Sequence, residues 1–119
     1  MSVNAKIIAA LKPLNIPVNF MEHAEGSEAY IVFNTYKAKK TGFADDKSDF
    51  KNHFIALDFW YSKPAHFSMI NQIDELMEAN EFVYQGDSDA PLEDGHYCRH
   101  YDYVYTEYLQ PKTGGINNG

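Results

Sequence analysis

The run His96–Leu109, HYCRHYDYVYTEYL, constrains the fold more than any other segment. Tyr97, Arg99, Tyr101, Tyr103 and Tyr105 alternate with Cys98, His100, Asp102 and Val104. A period of two, carried by residues of high strand propensity, specifies a β-strand with two unlike faces. His53–Ser62 repeats the signal: Ile55, Leu57, Phe59 and Tyr61 make one apolar face, and Phe54, Ala56, Asp58 and Trp60 a mixed one. Ala29–Lys39 is a third such run, with Ile31, Phe33 and Thr35 opposed to Tyr30, Val32 and Tyr36. Aromatic residues make up 15% of the chain, so a sheet must supply most of the core.

The remaining elements are shorter. Val3, Ile7, Leu11 and Leu14, widened by Ile8, give a helical stripe over residues 3–14, with Ser2 or Asn4 as cap and Pro13 ending its regular bonding. Val18–Met21 reads as a brief strand. Ala65–Asn80 is a second amphipathic helix with Met69, Ile73 and Leu76 inward and Ser62 as candidate cap. Glu81–Gln85 is a short strand. Thr41–Asn52 and Gly86–Gly95 read as long polar loops, the second closing on the hairpin dipeptide Asp94-Gly95. The order α-β-β-β-α-β-β predicts a single α+β domain over residues 1–109. It has a mainly antiparallel sheet of four to five strands packed on two helices, and residues 110–119 form a flexible tail.

Charge narrows the function. In 119 residues, 10 Lys and Arg stand against 17 Asp and Glu, a net −7. That opposes generic binding to phosphate backbones or to anionic membrane surfaces. The first residues lack the apolar run of a secretory leader, and no stretch is apolar enough to span a bilayer, so a soluble intracellular protein is expected. The single cysteine excludes an intrachain disulfide.

Chemistry is hard to find. His96, Cys98 and His100 share one strand face, but zinc sites ordinarily recruit ligand pairs from separate elements, so a polar strand face is the better reading. His23, His53 and His66 are scattered and read as surface or core-edge residues. Cys98 lacks a helix N-terminus or Gly-rich turn to activate it and reads as a buried structural thiol. No phosphate loop, dinucleotide fingerprint, HExxH or Gly-Xaa-Ser-Xaa-Gly is present. The acidic clusters match no calcium loop. No catalytic, metal or cofactor residue is assigned, and no enzyme activity is expected. Tyr97, Tyr101, Tyr103, Tyr105 and Tyr108 could stack single-stranded bases, yet Asp102 and Glu107 oppose phosphate there. A ligand pocket between helices and sheet is a further possibility.

The segments ALKPLNIPVNF, YIVFNTY, IALDFWYSK, IDELMEANEF and GHYCRHYDYVY, in that order, resemble the small tail-completion proteins of long-tailed bacteriophages and prophages. These are called tail terminators, tail-to-head joining proteins or minor tail proteins. The resemblance covers residues 3–109 in element order and hydrophobic texture. It implies a structural virion protein that forms a homohexameric ring at the head-proximal end of the tail tube. Such a ring ends tube growth or joins tail to head. Its implied partners are further copies of itself, the tail tube protein and a head connector or head-completion protein. DNA would pass through without specific binding, no membrane would be involved, and the protein would assemble in the host cytoplasm before residing in the tail. No catalytic residue carries over. The two polar loops are the expected interface, through Phe43, Asp45, Asp46, Asp49 and Phe50 in one and Asp87, Asp89, Glu93 and Asp94 in the other. The alternative is a regulatory or single-stranded nucleic-acid-binding module using the Tyr-rich strand.

Overall fold

A computed structural model describes residues 1–24, 26–41 and 49–109. Its elements run α1 (Val3–Leu11), β1 (Val18–Phe20), β2 (Ala29–Thr41), β3 (Phe50–Tyr61), α2 (Ser68–Ala79), β4 (Val83–Glu93) and β5 (His96–Tyr108). The five strands form one sheet in the order β1-β2-β3-β5-β4. Every neighbouring pair is antiparallel except β1 with β2. The expected α+β architecture is what forms.

The alternation read from the sequence decides which face the helices cover. Ile31 and Phe33 of β2, Ile55, Leu57, Phe59 and Tyr61 of β3, and Tyr101, Tyr103 and Tyr105 of β5 all enter one buried cluster. Ile7, Ala10 and Leu11 of α1 and Ile73 and Met77 of α2 close it from above. The tyrosines in this core keep partners for their hydroxyls. Tyr101 donates to the Ile70 carbonyl at 2.9 Å and Tyr103 to Asp74 Oδ1 at 2.8 Å. The opposite face carries only a small buried group, Tyr30, Trp60 and Cys98.

Both helices are shorter than the periodicity predicts. Ser2 caps α1, its Oγ accepting from the Ala5 amide at 3.1 Å. The chain then tightens into a 3₁₀ turn at Lys12–Leu14, where Pro13 removes a donor. A second 3₁₀ turn, Pro64–Phe67, precedes α2, so Ser62 is not its cap. The Ser62 hydroxyl instead donates to the Glu28 carbonyl at 3.2 Å. The α2 terminus is closed by amides that bond back, Glu81 to Glu78 and Phe82 to Met77. This leaves Glu81 at φ 71°, a left-handed position without glycine.

The sheet is mainly antiparallel as expected; the exception is β1, which lies parallel to β2 with Val18 opposite Ile31. The chain must therefore return along the edge before β2 begins. β3 and β4 are not neighbours: α2 carries the chain over β5, which inserts between them. The correction concerns the predicted loops. Gly86–Gly95 is mostly strand, since β4 runs to Glu93 and only Asp94-Gly95 turns. Both turn residues have positive φ, 50° and 75°, the requirement of a type I′ hairpin. Likewise β2 extends to Thr41 and β3 starts at Phe50, and the part of the predicted loop at residues 42–48 lies outside the described residues.

The molecule is long, 57 × 24 × 23 Å, with a radius of gyration of 17.0 Å. A compact chain of this size would have about 13.5 Å. The extra length comes from β2, β3 and β5 running on past the helices.

Two stability outcomes follow from the packing. Leu57 is fully buried beneath the helices, and Leu57→Ala is expected to lower unfolding free energy by ~2–5 kcal/mol in a urea titration, with unchanged slope. Glu81→Gly is expected to do the opposite, raising stability by up to ~1 kcal/mol through relief of the left-handed backbone. A destabilised glycine variant would show that the Glu81 side chain makes a compensating contact.

Candidate assembly surface

Past the row Lys37–Phe54–Val104, the sheet narrows to three strands among the described residues. β1 stops opposite Phe33, and β4 begins only opposite Val104. From Tyr36 to Thr41 no described strand pairs with the outer edge of β2, about 20 Å of strand. A β-bulge between Thr35 and Lys37 sets the start of this arm. At its far end the Asp49 amide bonds the Thr41 carbonyl at 2.9 Å, and the Leu109 amide bonds the Asp49 carbonyl at 3.0 Å.

The arm is basic and aromatic. Lys37, Lys39 and Lys40 are exposed along β2, and Lys51 lies directly opposite Lys40. Like charges facing across a ladder destabilise it. Glu107 is beside Lys51 in β5, but its carboxylate also takes His53 Nε2 at 3.0 Å. The Lys37 ammonium sits 5.6 Å from the Phe54 ring centre. Tyr36 is 55% exposed and Tyr108 79%, and each leans on a neighbour, Phe54 and Phe50 respectively. Aromatic and long basic side chains on an open edge are the composition of a contact surface.

The far edge has the opposite sign. Asp87 and Asp89 flank Arg99 across the β4–β5 ladder. Arg99 Nε donates to Asp87 Oδ2 at 2.9 Å, Nη1 to Asp89 Oδ1 at 2.8 Å, and Nη2 also to Asp87. The Tyr84 hydroxyl donates to Asp87 as well. These hydrogen bonds, Tyr84's first, hold the Asp87 carboxyl below the usual range. Glu93 and Asp94 lie exposed at the hairpin turn, at the end of the molecule away from the arm.

The predicted interface residues are thus dispersed. Asp49 and Phe50 lie at the arm's tip, Asp87 and Asp89 midway along the opposite edge, and Glu93 and Asp94 at the opposite end. Phe43, Asp45 and Asp46 fall outside the described residues. Asp87 is committed to Arg99 and Tyr84, so it has little left for a partner. Not singled out from the sequence were Lys37, Lys39, Lys40, Lys51 and Tyr36: after the bulge between Thr35 and Lys37, β2 residues 36–40 are all exposed and carry no burial alternation.

In the Tyr stripe, Tyr101, Tyr103 and Tyr105 pack into the core beneath the helices, and Tyr97 and Tyr108 stay exposed, which disfavours a base-stacking platform on this strand.

On the outer face, His100 Nδ1 lies 2.7 Å from Asp58 Oδ1 and Nε2 lies 3.1 Å from Asp102 Oδ1. Burial opposes its charging, but the hydrogen bonds and charges of the two aspartates outweigh burial and raise its value. Cys98 is buried and its thiol is pushed up to about 12, first by burial and then by Asp58, Glu93 and Asp89. It behaves as the expected structural thiol. Among the described residues no three His, Cys, Asp or Glu side chains are grouped to hold a metal ion.

With this geometry in hand, comparison with known proteins adds no name: no protein-family model matches the sequence, and no curated protein matches it.

The His100 cluster makes a pH-dependent contribution. Its folded value lies above the unfolded one of about 6.5, so the contribution is complete below that pH and is lost as the pH rises through the folded value. Urea midpoints at pH 6 and pH 8 (roughly spanning the imidazole range) should differ more in the wild type than in His100→Gln. Equal differences would remove His100 as the source.

Proposed function

We propose that the chain is a structural tail-completion protein of a long-tailed bacteriophage or prophage, which assembles as a ring at the head-proximal end of the tail tube. In that role it ends tube growth or joins tail to head, and it catalyses nothing. Its partners are further copies of itself, the tube protein and the head connector. Assembly takes place in the host cytoplasm.

One observation carries the reading: the two ends of the sheet are unlike and complementary. A three-stranded arm bearing Lys37, Lys39, Lys40 and Lys51 projects from one end. The other end exposes Glu93 and Asp94, and Asp89 lies along its edge. A contact between two different surfaces of one chain is heterologous, and a heterologous contact closes into a ring when its rotation permits. Two open strand edges offer main-chain hydrogen bonds for the same contact. The element order that carries the family resemblance adds to this support.

The test is electron microscopy of lysates from the parent phage or prophage with this gene deleted. Overlong tails, or tails unjoined to DNA-filled heads, are expected, and tail length separates the two roles. Complementation by Lys39→Glu/Lys40→Glu should fail although the purified variant melts like the wild type, because both side chains are exposed. Normal infectious particles without the gene would overturn the proposal.

A further inference from the structure

A cleft of about 420 Å³ opens on the face of the sheet away from the helices, at the end opposite the arm. The expected place for a pocket was between helices and sheet, so this cleft is unanticipated. Four segments build it. His23 comes from the connection after β1, Tyr30 from the start of β2, Trp60 from the end of β3, and Glu93, Asp94 and His96 from the β4–β5 hairpin. Its size lies within the range of small-molecule sites.

Its walls are aromatic and joined to one another. The His23 ring centre lies 5.7 Å from that of Tyr30 and 5.6 Å from that of Trp60, and Tyr30 is 5.7 Å from His96. Hydrogen bonds fix the rim: His23 Nδ1 is 2.9 Å from the Tyr30 hydroxyl, and His96 Nε2 is 3.0 Å from the Ser27 carbonyl. Trp60 and Tyr30 are more than nine-tenths buried, so these two rings are held in place by packing.

The ligand class follows from the lining. Among the described residues no Lys or Arg side chain lines the cleft, while two carboxylates do, so an anion is disfavoured. Aromatic walls attract a cation through their quadrupoles, most strongly at tryptophan. A quaternary ammonium suits them better than a metal ion or a primary ammonium, because its charge is spread over methyl groups that need no hydrogen-bond acceptor. We propose that this cleft binds a trimethylammonium head, held by the rings of His23, Tyr30, Trp60 and His96 and by the charge of Glu93 and Asp94. The site shares Glu93 and Asp94 with the end proposed for the ring contact, so it is tested on the unassembled chain.

Trp60 is the chain's single tryptophan, so its emission reports the cleft alone. The full chain is titrated with choline at about pH 8, above the ordinary imidazole range. Choline's uncharged carbon isostere, dimethylbutanol, and ionic-strength-matched sodium chloride are run alongside. A saturable emission change with choline is expected, and roughly tenfold weaker binding of the isostere. Glu93→Gln/Asp94→Asn should weaken choline several-fold without changing the melting temperature, since both residues are exposed and asparagine accepts the positive φ at position 94. A parallel titration with the acetylated amide of trimethyllysine distinguishes the source. Binding of choline alone assigns a free small molecule, and binding of the amide as well extends the site to a modified side chain. Absence of any saturable change with either cation would overturn the proposal. Equal affinity for the uncharged isostere would overturn it too, by making the cleft merely apolar.

Discussion

The ladder of β2, β3 and β5 is the constraint on which the other elements depend. β3 pairs with β5 and with β2 along its whole length, so its alternation fixes the face of the residues opposite it. A one-residue slip would send Ile55, Leu57 and Phe59 to solvent and bring Asp58 beneath the helices. The helices could not repair such a slip. α1 has nine residues and α2 twelve, both at or below the length that is stable alone in water. They exist because Ile7, Leu11, Ile73 and Met77 find an apolar sheet face already set out by the strands.

That face was legible because hydrophobic alternation is written in residues that differ sharply in burial. Ile55, Leu57, Phe59, Tyr101 and Tyr103 are all fully or almost fully buried, as their spacing demands. Polar strands leave no comparable trace. The segment GDSDAPLE has low strand propensity and reads as a loop, but β5 offers it an unpaired edge and Arg99 offers its aspartates a partner. That partner lies ten to twelve residues further along the chain, beyond any local pattern. The arm was missed for the same reason: KAKKT alternates only between kinds of exposed residue. The Trp60 cleft was still less legible, because its rings come from separate segments and no sequence spacing joins His23 to His96.

The arrangement of charge follows from what an open strand edge requires. An unpaired edge invites pairing with any other strand, and proteins block this with lysines, prolines, bulges and charge. Both edges here are blocked, but with opposite signs. The arm carries Lys37, Lys39 and Lys40 and a bulge at its base. β4 carries Glu93, Pro91 and two interruptions of register, and its Asp87 and Asp89 are paired with Arg99. Two arms repel each other, as do two β4 edges. An arm and a β4 edge attract, and across a distance comparable to the Debye length in cellular salt that attraction selects one relative orientation. In the proposed assembly, charges that prevent like edges from aggregating favour a head-to-tail pairing. The facing pair Lys40 and Lys51 fits that scheme. It weakens the arm in isolation and gains most when a carboxylate of a neighbouring copy lies between the two ammonium groups. On these grounds the arm's local instability and the proposed assembly are two consequences of one charge pattern.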